Sequence, residues 1–441
     1  MAGELGLWMN GERVGSWRIA RRGAMELLYD PAWMASPNGR PLSLSLPYRF
    51  DRAALRGDAV RCYFDNLLPD SETIRQRLAS RFRTASAGPF DLLAAIGRDC
   101  VGALQLLPEG EAPGRVRAIE GTPLDEAQIE QVLLQAAGSA AAGPGADDDD
   151  FRISLAGAQE KTALLLHQGR WLRPHGATPT THIFKLPMGL VGNRRADFQT
   201  SVENEWLCSR ILAAYGLPVA TCGMGRFGAQ KALVVERFDR QLHPGGAWWM
   251  RLPQEDFCQA LAVPPHAKYE ADGGPGIETL AAVLRQSVEA RADLELLMSA
   301  QILFWMLAAV DGHAKNFSLR LLSEGRYRLT PLYDVMSAWP VVGKGPNQFS
   351  WHRLKLAMAV SGNNRHYLLK DIQRRHFNAT APRCLWAPTA EPLIERLLAA
   401  TPCVIEQVKS EIPAGFPGLV AERVLGGLAE SAHRLEAMPA H

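Results

Sequence analysis

The sequence predicts an α+β chain in two parts, a β-containing N-terminal part followed by an all-α C-terminal part, and three observations carry that prediction. First, Leu5-Gly-Leu-Trp-Met9 and Arg13-Val-Gly-Ser-Trp17 flank Asn10-Gly11, the strongest short-range hairpin signal, and later strand-like runs such as Thr162 to Leu166 precede the turn Gln168-Gly169. Second, past Leu252-Pro253 the pattern turns predominantly helical, with Gly/Pro loops such as Asp272-Gly-Gly-Pro-Gly276. Third, the apolar run Leu296 to Val310 reads as a buried helix that stops at Asp311, where Gly312 breaks the pattern. A carboxylate is thereby set at the end of a core element.

Length and composition bound the rest. A chain of 441 residues, 47% hydrophobic and 21% charged, is a globular protein of two or three domains with no long disordered default. The formal charge of +2 carries no global bias, so any nucleic-acid contact has to come from a local patch or from a partner. Seven scattered cysteines, an odd number with no Cys-x-x-Cys pair, argue against a disulfide framework and a zinc site and suit a reducing cytosol. The N-terminus lacks a charged region followed by an apolar one, and the Leu296 run is too short and polar to span a bilayer. A cytoplasmic, unanchored protein with no membrane partner is expected.

In chain order, the N-terminal hairpin opens a β-rich region expected over residues 1–110. Within it, Ala53 to Arg83 and Pro89 to Ile96 read as helical, and Gly97-Arg-Asp-Cys-Val-Gly102 leads into a strand-like Ala103 to Leu107. Residues 111–150 are expected to hold a helix, Leu124 to Ala137, and then a small-residue linker, Gly138 to Ala146, that ends in the acidic tether Asp147 to Asp150. An α/β nucleotide-binding part is expected over 151–254 and an all-helical part with a basic face over 255–441. Between the strands of the third segment, Ala156, Gly157 and Ala158 are small enough to let backbone N–H groups approach a phosphate; a plain hairpin turn explains them equally well. Lys185 lies in an apolar strand ended by Pro187, either edge-exposed or reaching nucleotide phosphates, with Glu203 and Glu205 of the helix Ser201 to Tyr215 as possible partners. Lys231 to Asp239 is an apolar strand running into charge. In a bilobal kinase-like fold the backbone at Glu236, Arg237 and Phe238 would meet an adenine edge; a solvated strand end is the alternative.

The chemistry concentrates in Asp311-Gly-His-Ala-Lys-Asn316 and Tyr333-Asp334. Asp-x-x-x-x-Asn is the spacing by which kinases set a catalytic aspartate beside an acceptor hydroxyl and an asparagine oxygen on magnesium. Phe317 to Leu322 and Tyr327 to Thr330 alternate around Ser323-Glu-Gly-Arg326 and predict a hairpin that returns Asp334 toward Asp311 and Asn316. Two carboxylates and an amide oxygen suit a hard cation. The spacing alone also arises by chance, and Asp before Gly is commonly a turn residue.

Taken together, the motifs resemble a HipA-type toxin, the serine/threonine kinase of a HipBA type II toxin–antitoxin system. The likeness runs through Asp91-Leu-Leu-Ala-Ala-Ile-Gly-Arg-Asp99, Ile153-Ser-Leu-Ala-Gly-Ala-Gln-Glu-Lys-Thr-Ala-Leu164-Leu165, Thr180-Thr-His-Ile-Phe-Lys-Leu-Pro187, Val235 to Arg240, Arg251 to Asp256, Lys268 to Gly276, Asp311 to Ser318 and Lys355 to Met358, nearly the whole chain. It implies a bilobal fold distantly like phosphoinositide-type kinases. It implies Asp311 as catalytic base, Asn316 and Asp334 on Mg2+, and Lys185 on ATP phosphates. Leu155, Ala156, Gly157, Ala158, Gln159, Glu160 and Lys161 would cover the nucleotide, and Glu236, Arg237 and Phe238 would hold adenine. His313, Ala314, Lys315, Asn316 and Tyr333 would line the pocket, and Ser154 would be the autophosphorylated serine. The resemblance further implies an aminoacyl-tRNA synthetase as substrate, best known for the glutamyl enzyme, with growth arrest and antibiotic tolerance as the result. Its partner would be a small HipB-like helix-turn-helix antitoxin that binds operator DNA.

The stretch Lys344 to Arg383 carries eight Lys/Arg and three His against one acid, Asp371. It is either a solvated face or a phosphate-directed patch of a co-repressor. Pro382 stands where the family has a basic residue, so only Arg383 is carried over as a DNA contact. Two other readings stand beside the toxin kinase: a small-molecule phosphotransferase, which shares the acidic motif, and a nucleotide-binding co-repressor without remaining catalysis.

Overall fold

The computed structural model describes residues 3–20, 23–49, 51–138, 153–157, 159–191 and 196–440. Ala158, Asp147 to Asp150 and the expected linker beyond Gly138 lie outside the described residues. The chain divides into two compact units that alternate along the sequence. Met1–Leu186, Gly225–His266 and Ser318–Tyr327 form the first, and Pro187–Met224, Ala267–Phe317 and Arg328–His441 the second.

In the first unit, Asn10 and Gly11 take φ of 49° and 90°. Two successive left-handed residues are what a two-residue turn matched to strand twist demands, and Met9 accordingly faces Glu12. The strands Leu55–Arg56, Met25–Tyr29, Glu12–Ile19, Glu4–Met9 and Leu104–Pro108 make a five-stranded antiparallel sheet in that order. Its buried face meets helices: Trp17 stacks on Phe64 of the helix Asp58–Asp65 with ring centroids 3.8 Å apart. The span Ala53 to Arg83 is two helices rather than one. The second, Glu72–Arg81, begins where the Ser71 hydroxyl accepts the Ile74 N–H, just past Pro69, which cannot donate to a continuing helix.

A further sheet of the same unit orders Gln230–Glu236, His182–Lys185, Lys161–His167, Arg170–Pro174 and Gly121–Pro123. The helix Glu126–Ala136, opened by an Asp125/Gln128 capping box, covers it through Ile129, Val132 and Leu133 against Leu164 and Phe184. Charge joins distant segments of this unit. The Asp99 carboxylate receives Arg240 at 3.0 Å, Arg251 at 3.1 Å and Arg237 at 3.4 Å, and Asp239 receives Arg237 at 2.9 Å. Burial would push the Asp99 carboxyl up, but the guanidiniums of Arg240, Arg251 and Arg237 hold it well below the usual carboxylate range.

The second unit is built from the helices Ser201–Ala214, Ile277–Leu284, Ala290–Met306, Arg374–Arg383, Glu391–Glu411 and Gly418–Glu436. It also holds a hairpin, Lys355–Ser361 with Arg365–Leu368, whose first strand is a run of buried apolar residues rather than a helical pattern. At its centre is Ala290–Met306: thirteen of its seventeen residues are buried, and from Leu296 onward it is a core helix without a solvent face.

Candidate active site

The core helix ends sooner than the apolar run suggests. Ala308 sits at φ 49°, its N–H reaches the Trp305 carbonyl at 3.2 Å, and the Ala309 N–H reaches that of Phe304 at 2.8 Å. This is a Schellman closure with alanine in the left-handed position usually given to glycine. Gly312 therefore does not stop the helix; it is needed for space, because a Cβ there would lie 2.5 Å from the Phe304 ring.

From Asp311 onward the loop is tied by its own hydrogen bonds. The His313 N–H donates to the Asp311 carbonyl at 2.8 Å, the Asn316 N–H to the His313 carbonyl at 2.9 Å, and the Asn316 side-chain amide to the Asp311 carbonyl at 2.8 Å. His313, Ala314, Lys315 and Asn316 are buried, whereas the Asp311 side chain is 52% exposed. One carboxylate oxygen accepts the Tyr269 hydroxyl, and the Tyr269 ring stands edge-on to His313 with centroids 4.9 Å apart. Sequence reading assigned no role to Tyr269, which is 42 residues from its partner. The only signal for it was its place in the Lys268 to Gly276 motif.

The hairpin expected after the loop is present as strands Ser318–Leu321 and Tyr327–Leu329, closed by the Leu322 N–H on the Arg326 carbonyl at 2.8 Å. The Tyr333 hydroxyl donates to the Lys315 carbonyl at 2.9 Å, which ties the residue before Asp334 to the loop. Asp334 itself adopts φ 60°, a conformation that costs a non-glycine residue about 1 kcal/mol or more. Just beyond, the Ser337 hydroxyl donates to the Leu307 carbonyl at 2.6 Å and Asn204 bonds both backbone groups of Ser337. Since the Asn316 amide group is engaged with Asp311, its oxygen is the atom it can offer. That oxygen and the Asp334 carboxylate are both hard donors, of the type a divalent cation such as Mg2+ takes.

The remaining candidates lie in the first unit. Lys185 is 7% exposed and its strand lies between two others, paired with Leu233 and Lys161, so it is no edge lysine. Glu203 and Glu205 stand on the second unit's helix Ser201–Ala214, with Glu205 buried. The segment around Ser154 is no plain hairpin turn. Ile153 bridges Asp99 and Gly157 bridges Pro69, while Gly157 takes φ 105° and its carbonyl accepts the Asp70 N–H at 3.0 Å. Ser154 is fully buried, and its hydroxyl donates to the Leu67 carbonyl at 2.8 Å. Lys161 donates to the Ala156 carbonyl at 2.7 Å, Gln159 to the Leu186 carbonyl, and Glu160 pairs with Arg77, while Leu155 is buried. At the expected hinge, Glu236 is exposed, but Arg237 is committed elsewhere. Its N–H donates to the Thr181 carbonyl at 2.8 Å and its guanidinium lies inside the Asp99/Asp239 cluster. The Phe238 carbonyl accepts Arg320 at 3.1 Å.

The basic stretch is less charged in space than in sequence. Arg365 pairs with Glu270, Arg374 with Glu391, and Arg383 lies 3.9 Å from Glu278 while donating to the Gly362 carbonyl at 2.8 Å. Arg374 is buried, so it is a structural cation and not a surface contact, whereas Arg375 beside it is exposed.

Against known proteins, residues 5–107 match the model of the HipA N-terminal domain and residues 153–405 that of the HipA-like C-terminal domain. The Sinorhizobium fredii protein called Putative kinase Y4mE is 37% identical over 337 residues, 76% of this chain and 77% of that one. The serine/threonine-protein kinase toxin HipA of Shewanella oneidensis is 29% identical over 324 residues, 70% of this chain and 69% of its own. Among solved structures, a chain of the Shewanella oneidensis MR-1 complex of HipA, HipB and operator DNA superposes with a TM-score of 0.78 at 21% identity, covering 98% of this chain and 97% of that one. The fold is thus that of a family of serine/threonine kinase toxins. The chain belongs to the HipA family. Among the described residues no helix is long and apolar enough to cross a membrane.

Proposed function

We propose that this protein is a cytoplasmic, ATP-dependent serine/threonine protein kinase that acts as the toxin of a type II toxin–antitoxin pair. The observation that carries the reading is the Asp311 carboxylate, half exposed at the head of a loop that is otherwise buried and hydrogen-bonded. A base needs that combination of fixed position and access. Asp311 takes the proton of an acceptor serine, and the Tyr269 hydroxyl holds the carboxylate in one rotamer. Asn316 and Asp334 would hold Mg2+, Lys185 would meet the ATP phosphates, and Leu155 to Lys161 would cover them. Glu236 and Phe238 offer backbone to adenine, with Arg237 supporting them from the buried cluster. Magnesium-bound ATP supplies the transferable phosphoryl group and the charge that neutralises its oxygens.

The family resemblance extends the reading to an aminoacyl-tRNA synthetase as acceptor, such as the glutamyl enzyme, and to growth arrest as the outcome. It also extends it to self-inactivation by phosphorylation of Ser154 and to co-repression of an operator with a HipB-like helix-turn-helix antitoxin. The Shewanella complex of HipA, HipB and operator DNA supports the last of these. Asp311→Gln should abolish transfer of radiolabelled phosphate, at least 10²-fold, while ATP binding measured by calorimetry persists; Asp334→Gln should instead weaken magnesium-ATP binding. Transfer at the wild-type rate by the Asp311 variant would overturn the assignment.

A further inference from the structure

In the second unit the Asp311 loop is met by a turn whose own anchor plays no part in the chemistry above. Tyr269, whose hydroxyl meets Asp311, opens this turn: its carbonyl accepts the Asp272 N–H at 3.0 Å and the Gly274 N–H at 2.9 Å, and Gly273 takes φ 91°. Ala271, Asp272 and Gly273 are exposed, so the turn has little burial of its own to hold it. Glu270 is the exception, with a side chain only 5% exposed. One of its carboxylate oxygens accepts the Ala359 N–H at 2.6 Å and the other meets the Arg365 guanidinium, so both contacts fall on the hairpin Lys355–Ser361 with Arg365–Leu368. That hairpin is held in turn where the Ser361 hydroxyl donates to Glu278 at 2.6 Å and the Ser361 N–H to the Thr380 hydroxyl at 2.8 Å. At Gly276 a Cβ would lie 2.4 Å from the Glu270 carboxyl carbon, so the backbone closes directly on the carboxylate.

We infer that Glu270 is a positioning residue for phosphoryl transfer: its contacts with Ala359 and Arg365 fix the Tyr269 hydroxyl and, through it, the Asp311 carboxylate in the geometry that takes up a proton. Glu270 and Tyr269 are adjacent in one hydrogen-bonded turn, so neither moves without the other, yet one reaches the hairpin and the other the loop. A hydroxyl donating to a carboxylate is a strong, short bond, and drift of the turn by about 1 Å is enough to break it. Asp311, 52% exposed, is then free to take other rotamers. Removing Arg365 takes the paired cation from a buried carboxylate, which draws Glu270 toward water and the turn with it. Glu270 acts through Tyr269 and Asp311, so its loss lowers turnover and leaves magnesium-ATP binding alone. The effect on turnover rests on the kinase reading above; the coupling of turn to loop does not.

The test uses the full chain and radiolabelled magnesium-ATP, with the chain itself as acceptor and the rate followed against nucleotide concentration. Glu270→Gln keeps an oxygen for Ala359 and loses the ion pair; its maximal rate should fall roughly fivefold or more, with the half-saturating nucleotide concentration within about twofold of wild type. Arg365→Gln, at an exposed position that the fold tolerates, should lower the maximal rate similarly, and Arg365→Lys, which keeps the charge, should recover roughly half of it or more. Tyr269→Phe should cost at least as much as Glu270→Gln, and combining the two should add less than about twofold, because the route is already cut. Independently of activity, amides 311–316 should exchange hydrogen roughly threefold faster or more in Glu270→Gln and in Tyr269→Phe than in wild type. Wild-type rate and exchange in Glu270→Gln overturn the inference. So do losses that multiply in the double variant, which would give Glu270 a merely structural role, and a raised half-saturating concentration at an unchanged maximal rate. A wild-type chain that transfers no phosphate yet shows the exchange coupling counts against the kinase reading and leaves the tether standing; absence of both overturns both.

Discussion

Single side chains in this protein are set by partners far away in sequence. Asp311 and Asn316 were legible because their spacing is local, within one loop. Glu255 was not. It is fully buried, one oxygen accepts the Leu44 N–H at 2.9 Å from 211 residues away, and its other oxygen has no hydrogen-bond partner among the described residues. Burial pushes its carboxyl up to about 8, against the lowering effect of the Ser43 hydroxyl and the Leu44 N–H. The folded chain therefore holds a proton on Glu255 that the unfolded chain releases near its ordinary value of 4.5. Below that value the group is neutral in both states and costs nothing. As pH rises from about 4.5 to about 8 the unfolded state alone gains by ionising, and stability falls across that window. Glu255→Gln keeps an oxygen for Leu44 and cannot ionise. Its apparent Tm should match wild type at pH 5 and exceed it at pH 8, by an amount corresponding to about 1 kcal/mol or more. Parallel Tm curves across pH 5 to 8 would count against this account.

At the scale of elements, what the sequence pattern reveals is periodicity and turn chemistry, and what it hides is where segments dock. The Asn10-Gly11 hairpin and the helix Glu126–Ala136 were readable from turn residues and caps. The end of Ala290–Met306 was misplaced because a left-handed alanine at 308, held by tertiary contacts, does the work that glycine chemistry led one to expect at 312. The Asp99 cluster was invisible, since its three arginines are 138, 141 and 152 residues away. Asp99→Asn removes the shared anion of three buried guanidiniums, and the chain should lose about 3–5 kcal/mol of stability, seen as an earlier denaturation midpoint with unchanged slope. The segment at Ser154 has a similar logic. Repulsion from the acidic tether Asp147 to Asp150 is one reason for a phosphorylated segment to leave, but those residues lie outside the described ones. Burial supplies a stronger reason. A dianionic phosphate has no room where the hydroxyl is fully enclosed and bonded to the Leu67 carbonyl, so the phosphorylated segment must undock. After incubation with ATP, mass spectrometry should place phosphate on Ser154, and the purified phosphoform should bind ATP at least tenfold more weakly than the unmodified Asp311→Gln chain. Equal affinity would remove the switch while leaving the kinase reading intact.

For the molecule as a whole, a formal charge of only +2 means that the proposed assembly on DNA would have to draw on a local cationic face. In sequence, the stretch Lys344 to Arg383 looks like a uniform cationic face. In the fold, acids from other elements reach it: Glu270 takes Arg365, Glu278 lies near Arg383, and Glu391 takes Arg374. Lys344, Arg353, Lys355, Lys370 and Arg375 are the exposed cations of the stretch whose salt bridges do not figure among these pairs. Counterion release makes the salt dependence of binding a count of phosphate contacts, about 0.9 in log–log slope for each. In the proposed complex with antitoxin and operator, replacing Lys370 and Arg375 together by Gln should flatten that slope by about 2 and weaken binding equally on matched and mismatched operators, because there the antitoxin would read the bases. Arg374→Gln should behave differently. It deprives Glu391 of its buried partner and lowers stability by about 1–3 kcal/mol, yet leaves the slope at its wild-type value. If instead Arg374→Gln flattens the slope and the double variant does not, the phosphate-facing cations are the paired ones, and the face that meets DNA forms only after those ion pairs open.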